Sequence, residues 1–244
     1  MIVGVISDIH SNMEALRNVL EKLGEVEKIW CLGDIVGYGP EPARCIDMVS
    51  SPWFECIVGN HDLCVLQEID LGSFNLDALR ACLINKNKLD EKHLSFLRSL
   101  PRTTEPFPGI ALVHGSPRDD VWEYVISSWQ ADEILSKTKS VITFVGHSHI
   151  PLIFMKPGSA AARIAPLFEE VTIDLSRENT KYLINPGSVG QPRDGDPRAS
   201  YMVLNTREFT LTYHRVEYPV ETTQEKMRQE GLPQSLINRL AYGV

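Results

Sequence analysis

Polar side chains that can bind metal ions follow short apolar runs at five places in the chain. Five of the seven histidines lie at four of these places, and the fifth place is a Gly-Asp pair. The residues are Asp8 and His10, Asp34, Asn60 with His61 and Asp62, His114, and His147 with His149. The carboxyl ends of strands in an open α/β sheet bring side chains from separate loops together. We therefore expect these residues to meet in one site.

Each motif by itself has a simpler interpretation. Taken singly, His10 and His114 are ordinary polar residues at strand ends, and Asp34 is a turn residue after Gly33. Packing, however, does not require metal-binding side chains at five strand ends, so the set as a whole favours a metal site. Aspartate, asparagine and histidine without any thiolate suit Mn, Fe, Co, Ni or Zn.

The elements that must position these residues begin with an alternation of strand and helix patterns. Strand-like runs are Ile2–Ile6, Ile29–Leu32 and Phe54–Val58, and helix-like runs start at Asn12 and cover Pro42–Val49. This order is a βαβαβ signature. Ser11 and Glu14 have the spacing of a capping box, which predicts that the first helix starts close to Asp8 and His10.

Beyond this βαβαβ region, a helical segment is followed by strands. Residues 62–108 form the predicted helical insertion, and strand-like runs then appear at Ile110–Val113, Val141–Val145, Leu152–Met155, Val171–Ile173, Tyr182–Ile184, Tyr201–Leu204 and Phe209–Tyr213. These runs predict a second sheet that faces the first. Residues 218–244 show two short amphipathic helices. We expect a single domain over residues 1–244.

Composition excludes several classes of protein. With 244 residues, 43% apolar, 23% charged and a net charge of −8, the chain is expected to be globular. The acidic balance repels phosphate backbones, so we expect no binding of duplex nucleic acid. No apolar stretch approaches the ~18 residues that a membrane span needs, and the amino terminus is read as a strand. Five cysteines without a C-x-x-C pair favour a cytoplasmic location.

The motif set resembles the calcineurin-like metallophosphoesterase superfamily. The motifs follow the family order, and the segment from Asn185 to Gly195 is similar to the subgroup of small bacterial and archaeal phosphodiesterases. This resemblance implies a four-layer α/β/β/α sandwich of two facing mixed sheets with a dinuclear centre of divalent transition metals, manganese among them. It implies that one metal is held by Asp8, His10, Asp34 and His149, and the other by Asp34, Asn60, His114 and His147.

The implied ligand set has a consistent charge balance. Two M²⁺ ions carry +4, Asp8 and Asp34 remove two charges and a bridging hydroxide removes one, which leaves about +1 for a phosphate. A bridging water becomes hydroxide near neutral pH and serves as the nucleophile. The resemblance makes His61 the proton donor to the leaving oxygen, with Asp62 orienting it. The expected activity is hydrolysis of a small phosphodiester or a dinucleoside polyphosphate.

Substrate contacts are less clearly marked in the sequence. Asn12 has two open interpretations, a phosphate contact or a support for the capping turn. We interpret residues 185–196 as a rigid turn, with a phosphate-binding nest as the alternative and Arg193 as the candidate phosphate contact. Arg80 and Arg118 are further candidates. The aromatic residues Trp122, Tyr124 and Trp129 are interpreted as packing, with a base-stacking pocket as the alternative.

Two other functions remain as alternatives. One is a phosphomonoesterase or phosphoprotein phosphatase; a phosphoprotein phosphatase is disfavoured because the run Ile35–Gly39 lacks the acidic-arginine element that protein Ser/Thr phosphatases of this superfamily place after their Gly-Asp motif. A scaffold of the same fold, like the retromer subunit that has lost metal ligands, is disfavoured because every ligand type is retained.

The insertion starts directly after His61, so we expect it to overhang the leaving-group side and to favour small substrates. Oligomeric state is not predicted.

Overall fold

Twelve strands and eight helices make up the chain in the computed structural model, which describes all 244 residues. The first part runs β1 (Ile2–Ile6), α1 (Met13–Lys22), β2 (Lys28–Cys31), α2 (Pro42–Val49), β3 (Phe54–Cys56), α3 (Asn60–Leu66), α4 (Leu76–Lys86), α5 (Glu91–Ser99), β4 (Thr103–Phe107) and β5 (Ile110–Val113). The second part runs α6 (Ser128–Lys137), β6 (Ile142–Phe144), β7 (Leu152–Pro157), β8 (Arg163–Ile164), β9 (Thr172–Asp174), β10 (Thr180–Asn185), β11 (Ala199–Asn205), β12 (Thr210–Val216), α7 (Val220–Gln229) and α8 (Gln234–Arg239).

The strands form two six-stranded mixed sheets. The first sheet has the order β3-β2-β1-β11-β12-β9, and the second has the order β4-β5-β6-β10-β7-β8. In the first sheet β1 runs parallel to β2 and antiparallel to β11, so the two ends of the chain share one sheet. The carboxyl ends of β1, β2 and β3 therefore lie at one edge, as they do for the parallel strands β5, β6 and β10.

Three hydrophobic cores separate four layers. The inter-sheet core contains Val3 and Val5 of β1, with Trp30 packed edge-on against Phe144 at 6.3 Å. The outer face of the first sheet packs against α1 and α2. The outer face of the second sheet packs against α6, where Ile134 is buried. The α/β/β/α sandwich predicted from the sequence is confirmed.

The start of α1 differs from the predicted capping box by one residue. Asn12 is the N-cap, and its Oδ1 accepts a hydrogen bond from the Ala15 amide at 3.1 Å. Ser11 instead has a φ of 54° and donates from its hydroxyl to Asn85 Oδ1. Glu14 forms an ion pair with Lys226. The left-handed backbone at Ser11 moves the helix start one residue further along the chain.

Three further expectations about the elements are corrected. Residues 103–107 within the predicted helical insertion form β4, an edge strand antiparallel to β5. The strands β9, β11 and β12 join the first sheet rather than the second. Helix α6 was not predicted, although the parallel pairing of β5 with β6 requires a crossover of this kind. The hydroxyl of Ser127 caps it by accepting from the Gln130 amide.

The insertion and the tail pack together beside the first sheet. Helices α7 and α8 form a buried cluster with Ala78 and Ala81 of α4 and with Tyr38. All five cysteines are free. None of the helices combines the length and the apolar character needed to traverse a lipid bilayer.

Candidate metal centre

The loops that follow the strands turn sharply at the candidate metal-binding residues. Five of these residues have left-handed backbone conformations: Asp8 (φ 54°), His10 (φ 47°), Asp34 (φ 51°), His147 (φ 63°) and His149 (φ 60°). Such values are uncommon outside glycine and cluster at functional sites. The strain is localised at the point where the two sheets present their loops to each other.

One cluster of ligand atoms comes from Asp8, His10, Asp34 and His149, and these atoms all lie within 4.8 Å of one another. The Nε2 atom of His149 is 3.3 Å from Asp8 Oδ1, and the Nε2 atom of His10 is 3.6 Å from Asp34 Oδ2. The Nδ1 atoms of His10 and His149 each face a backbone carbonyl, at 3.1 and 2.6 Å. A carbonyl only accepts, so Nδ1 carries the proton and the lone pair of Nε2 points into the cluster.

A second cluster shares Asp34 and adds His114 and His147. The Nε2 atom of His114 is 3.4 Å from Asp34 Oδ2 and 3.0 Å from Asn60 Oδ1. The Nδ1 atom of His114 donates to the Leu32 carbonyl at 2.7 Å, which again directs Nε2 inward. The carboxylate of Asp34 therefore lies between the two groups of ligands.

Several polar atoms of these side chains lack a hydrogen-bond partner, and bound metal ions would supply one. Both carboxylate oxygens of Asp8, Oδ2 of Asp34 and Nε2 of His147 are buried and have no hydrogen-bond partner. Leaving a carboxylate oxygen buried and unpaired is energetically costly, and cations bound at the two clusters would give these atoms partners. The donor set of oxygen and imidazole nitrogen suits divalent transition metals. We conclude that these residues fit a metal centre.

Burial keeps most of the histidines in the neutral form that binds metals. It lowers the pKa of His147 to about 3 and that of His61 to about 4. It also lowers the pKa values of His10 and His149.

Asp34 and His114 are the exception, because they act as an ion pair. Burial is the largest single influence and would raise the pKa of Asp34, but the neighbouring histidines, His114 first among them, together outweigh burial and hold that pKa well below the usual range. Burial likewise opposes the charged form of His114, yet Asp34 raises the pKa of His114 to about 9. A metal ion must therefore displace a proton from His114.

His61 lies beside the first cluster without belonging to it. Its backbone amide donates to Asp34 Oδ1 at 2.8 Å, and its ring centre is 4.8 Å from that of His10. The loop before it has no room for a side chain at Gly59, where a Cβ atom would come within 2.1 Å of Asp34 Oδ1. The ring of His61 is consequently fixed next to the carboxylate shared by both clusters.

Asp62 does not make the expected contact with the His61 ring. Its two carboxylate oxygens accept from the backbone amides of Val36 and Gly59, both at 3.0 Å. Burial and the nearby charge of Asp34 raise the pKa of Asp62 to about 7. Asp62 thus ties the loop after β3 to the loop after β2, and the ring nitrogen Nδ1 of His61 faces Cys82 Sγ at 3.2 Å instead.

A narrow cavity of about 90 Å³ opens onto both clusters. Arg193 lines it and donates to the hydroxyl of Tyr38 and to Gln191 Oε1, both at 3.1 Å, and its Nε has no partner. The ring of Tyr124 stacks on that of His147 with 4.1 Å between centroids. The guanidinium of Arg193 therefore forms part of the wall of a small cavity that opens onto the ligand clusters.

The other candidate arginines and the remaining aromatic residue lie elsewhere. Arg118 is paired with Glu123 and Glu133, so its charge is already neutralised. Arg80 is exposed and donates to the Gly231 carbonyl. Trp129 is 68% exposed and does not line the cavity, whereas Trp122 does.

Asn12 serves the helix cap rather than a phosphate. Its Oδ1 accepts from the Ala15 amide and from the Thr223 hydroxyl, and its Nδ2 donates to the Gly190 carbonyl. Sequence reasoning also missed five cavity residues, among them Tyr38 and Phe74; the others are Ser73, Asn75 and Ala78. The Gly-Tyr-Gly run after Asp34 is a signal that marks Tyr38, and no signal marks Phe74.

Comparison with known proteins identifies the class to which this fold and site belong. Residues 1–208 match the calcineurin-like phosphoesterase superfamily domain, and the chain belongs to this superfamily. A metallophosphoesterase structure from Sphaerobacter thermophilus is 40% identical, with a TM-score of 0.88 over 100% of this chain and 99% of that one.

Two sequence relatives differ in how much of the chain they cover. An uncharacterised protein of Methanocaldococcus jannaschii is 40% identical over 247 residues, which is 99% of this chain and 98% of that protein. Serine/threonine-protein phosphatase 2 of Escherichia coli is 31% identical over 77 residues, which is 30% of this chain and 35% of that protein. The full-length similarity, the family match and the buried Asp/His cluster imply a phosphoesterase that binds divalent metal.

Proposed function

We propose that the protein is a two-metal hydrolase that cleaves a small phosphodiester or a dinucleoside polyphosphate. The observation that carries this proposal is the position of Asp34, whose unpaired Oδ2 lies 3.6 Å from His10 Nε2 and 3.4 Å from His114 Nε2. One carboxylate thus faces two sets of ligands, which is the arrangement that a bridging ligand requires.

Seven residues would hold the metals. Asp8, His10, Asp34 and His149 would bind one ion, and Asp34, Asn60, His114 and His147 would bind the other. When bound, two such ions supply Lewis acidity toward phosphoryl oxygens and a nucleophile at neutral pH. We take Mn²⁺ as the first ion for reconstitution, with Zn²⁺, Co²⁺, Ni²⁺ and Fe²⁺ as alternatives compatible with the same donors.

Two further side chains would act directly on the substrate. His61 lines the cavity with a ring whose Nδ1 is engaged by Cys82, so Nε2 is the nitrogen that would donate a proton to the leaving oxygen. Arg193 would neutralise phosphate charge from the cavity wall, because its Nε has no partner and its other donors are held by neutral oxygens.

The shape of the cavity supports a small substrate. Phe74, from the insertion, packs edge-on against Trp122 at 5.0 Å, and Phe74 also contacts the His61 ring at 5.2 Å. These rings narrow the entrance on the side of His61. A phosphodiester or polyphosphate chain enters such an opening more readily than a folded protein surface does. We propose no role for duplex nucleic acid or for a membrane.

One substrate panel tests the proposal. The metal-loaded protein is assayed with bis(nitrophenyl) phosphate, nitrophenyl phosphate, diadenosine tetraphosphate and a phosphopeptide under one metal condition, with Asp34→Asn as the matched control. We expect turnover of the diester or the tetraphosphate and no turnover by the control. Efficient cleavage of the phosphopeptide alone would establish the phosphatase alternative. Absence of all four activities in fully metal-loaded protein would favour the scaffold alternative.

A further inference from the structure

Helix α4 of the insertion places two buried side chains against the loops of the metal centre. Cys82 Sγ lies 3.2 Å from His61 Nδ1, and both residues are buried. One turn further along, Asn85 is also buried and makes three hydrogen bonds to the loop after β1 and the loop after β2. The insertion is therefore part of the wall of the site as well as a cover over it.

We propose that Cys82 is the positioning residue for His61. In the neutral ring its thiol donates to Nδ1, which leaves the ring proton on Nε2, the nitrogen on the side of the cavity. For the reaction the ring takes up a second proton from solvent on Nδ1, where Sγ then accepts it, and the Nε2–H bond breaks as the proton passes to the leaving oxygen, so the ring returns to the neutral form. This inference rests on the proposed function only in that His61 is the proton donor to the leaving group.

Among the neighbours of the His61 ring, Cys82 is the one that can determine which ring nitrogen carries the proton. The ring also packs against the backbone at Gly37 and against the aromatic rings of Tyr38, Phe74 and His10, at 4.4, 5.2 and 4.8 Å between centroids. Asp62, the adjacent residue, has both carboxylate oxygens committed to backbone amides. Aromatic faces restrict where the ring lies but do not choose which nitrogen carries the proton. The one hydrogen bond that the imidazole forms joins its Nδ1 to Cys82 Sγ.

The chemistry of a thiol suits this position. A thiol group both donates and accepts, so it serves the neutral ring as a donor and the protonated ring as an acceptor. A carboxylate in its place would add a second buried negative charge beside Asp34. Contact with Cys64 and burial raise the pKa of the Cys82 thiol well above its ordinary value, so the group stays protonated and uncharged.

Asn85 fixes the position of α4 relative to the loops after β1 and β2. Its Oδ1 accepts from the Ser11 hydroxyl at 2.6 Å and from the Gly37 amide at 2.9 Å, and its Nδ2 donates to the Gly39 carbonyl at 2.9 Å. Residues three positions apart lie on the same face of a helix, so this anchor also sets the position of the Cys82 side chain. The thiol is consequently held at His61 by the packing of a whole helix.

Kinetics of three variants test the proposal. Cys82→Ala removes the hydrogen bond, Cys82→Ser retains a donor and acceptor, and Cys45→Ala removes a buried thiol from the core around α2 as the control. We expect Cys82→Ala to lower kcat about tenfold for a substrate with an alkoxide leaving group and less than about twofold for a nitrophenolate, with KM unchanged. Cys82→Ser should restore the rate, and Cys45→Ala should match the unaltered protein. Adding Cys82→Ala to His61→Ala should cause no further loss.

A spectroscopic measurement tests the same inference without activity. In the Zn²⁺-loaded protein, the ¹⁵N chemical shifts of the His61 ring, assigned by difference from His61→Ala, should report a protonated Nε2. They should change to a mixture of tautomers in Cys82→Ala and return in Cys82→Ser. An unchanged ring spectrum in Cys82→Ala, or equal rate losses for both leaving groups, would overturn the positioning role while leaving the proposed hydrolase intact. The expected spectral changes in a protein without any hydrolase activity would leave the positioning role standing and overturn the proposed function.

Discussion

The Nε2 atoms of His10 and His149 lie 3.0 Å apart, although 139 positions separate the two residues. The Nδ1 proton of each ring is donated to a backbone carbonyl, so two lone pairs face each other at this distance. Such a contact is repulsive unless a cation lies between the nitrogens. His10 follows β1 of the first sheet and His149 follows β6 of the second, so the centre joins the two halves of the sandwich.

Removal of the His61 ring should separate proton donation from metal binding. We expect His61→Ala to retain both metals and to lose about 10²- to 10⁴-fold in rate for an alkoxide leaving group, because that oxygen needs a proton to depart. The loss for nitrophenolate should be much smaller. Rate measurements with the two leaving groups, together with elemental analysis, check this expectation. Loss of a metal from the variant, or an equal loss for both leaving groups, would show that His61 has another role.

Arg193 should contribute to substrate binding through its charge. We expect Arg193→Met to lower kcat/KM about 10- to 100-fold, because a hydrogen bond to a charged group contributes about 1.5–3 kcal/mol. Arg118→Met is the matched control, since Arg118 is held by Glu123 and Glu133 away from the cavity. Steady-state kinetics on one substrate compare the two. A loss in the control as large as that in Arg193→Met would remove the assignment of Arg193.

Metal binding should release a proton in a pH-dependent way. The pKa of His114 is raised to about 9 by Asp34, so His114 carries a proton at pH 7 in the metal-free protein and loses it when a metal binds. We expect the number of protons released per chain to be larger by about one at pH 7 than above pH 9, where His114 is already neutral. Calorimetric titration with Mn²⁺ under anaerobic conditions, in buffers of different ionisation enthalpy, measures this number. A release that is constant from pH 7 to 9.5 would contradict the ion pair of Asp34 and His114.

The sequence was sufficient to place most of the candidate site because its residues stand directly after apolar strands. A strand such as β1 must be buried on both faces, and the polar residues that follow it can only emerge at the sheet edge. The same reasoning predicted the order of strands and helices up to β3. It was wrong about β11 and β12, which it assigned to the second sheet, because an apolar run does not show which of two sheets it joins.

The contacts that Cys82 and Asn85 make with the site could not be predicted from the local sequence pattern. Cys82 and Asn85 lie on a helix with no recognisable motif, and their role depends on how α4 packs against loops that are far away in the sequence. The expected role of Asp62 differs from the structure for a related reason, because both of its carboxylate oxygens accept from backbone amides. For Asn12 the sequence left two interpretations open, and its contacts favour the support of the capping turn.

The metal content of the reconstituted protein tests the central claim most directly. After reconstitution and removal of loosely bound ions, elemental analysis of the unaltered chain should find two metals per chain, because Asp34 faces two sets of ligands. Asp34→Asn should lose occupancy and phosphoesterase activity together, since an amide supplies only one neutral oxygen where a carboxylate bridges two ions. A metal content below one per chain in the unaltered protein, with no phosphoesterase activity, would contradict the two-metal hydrolase.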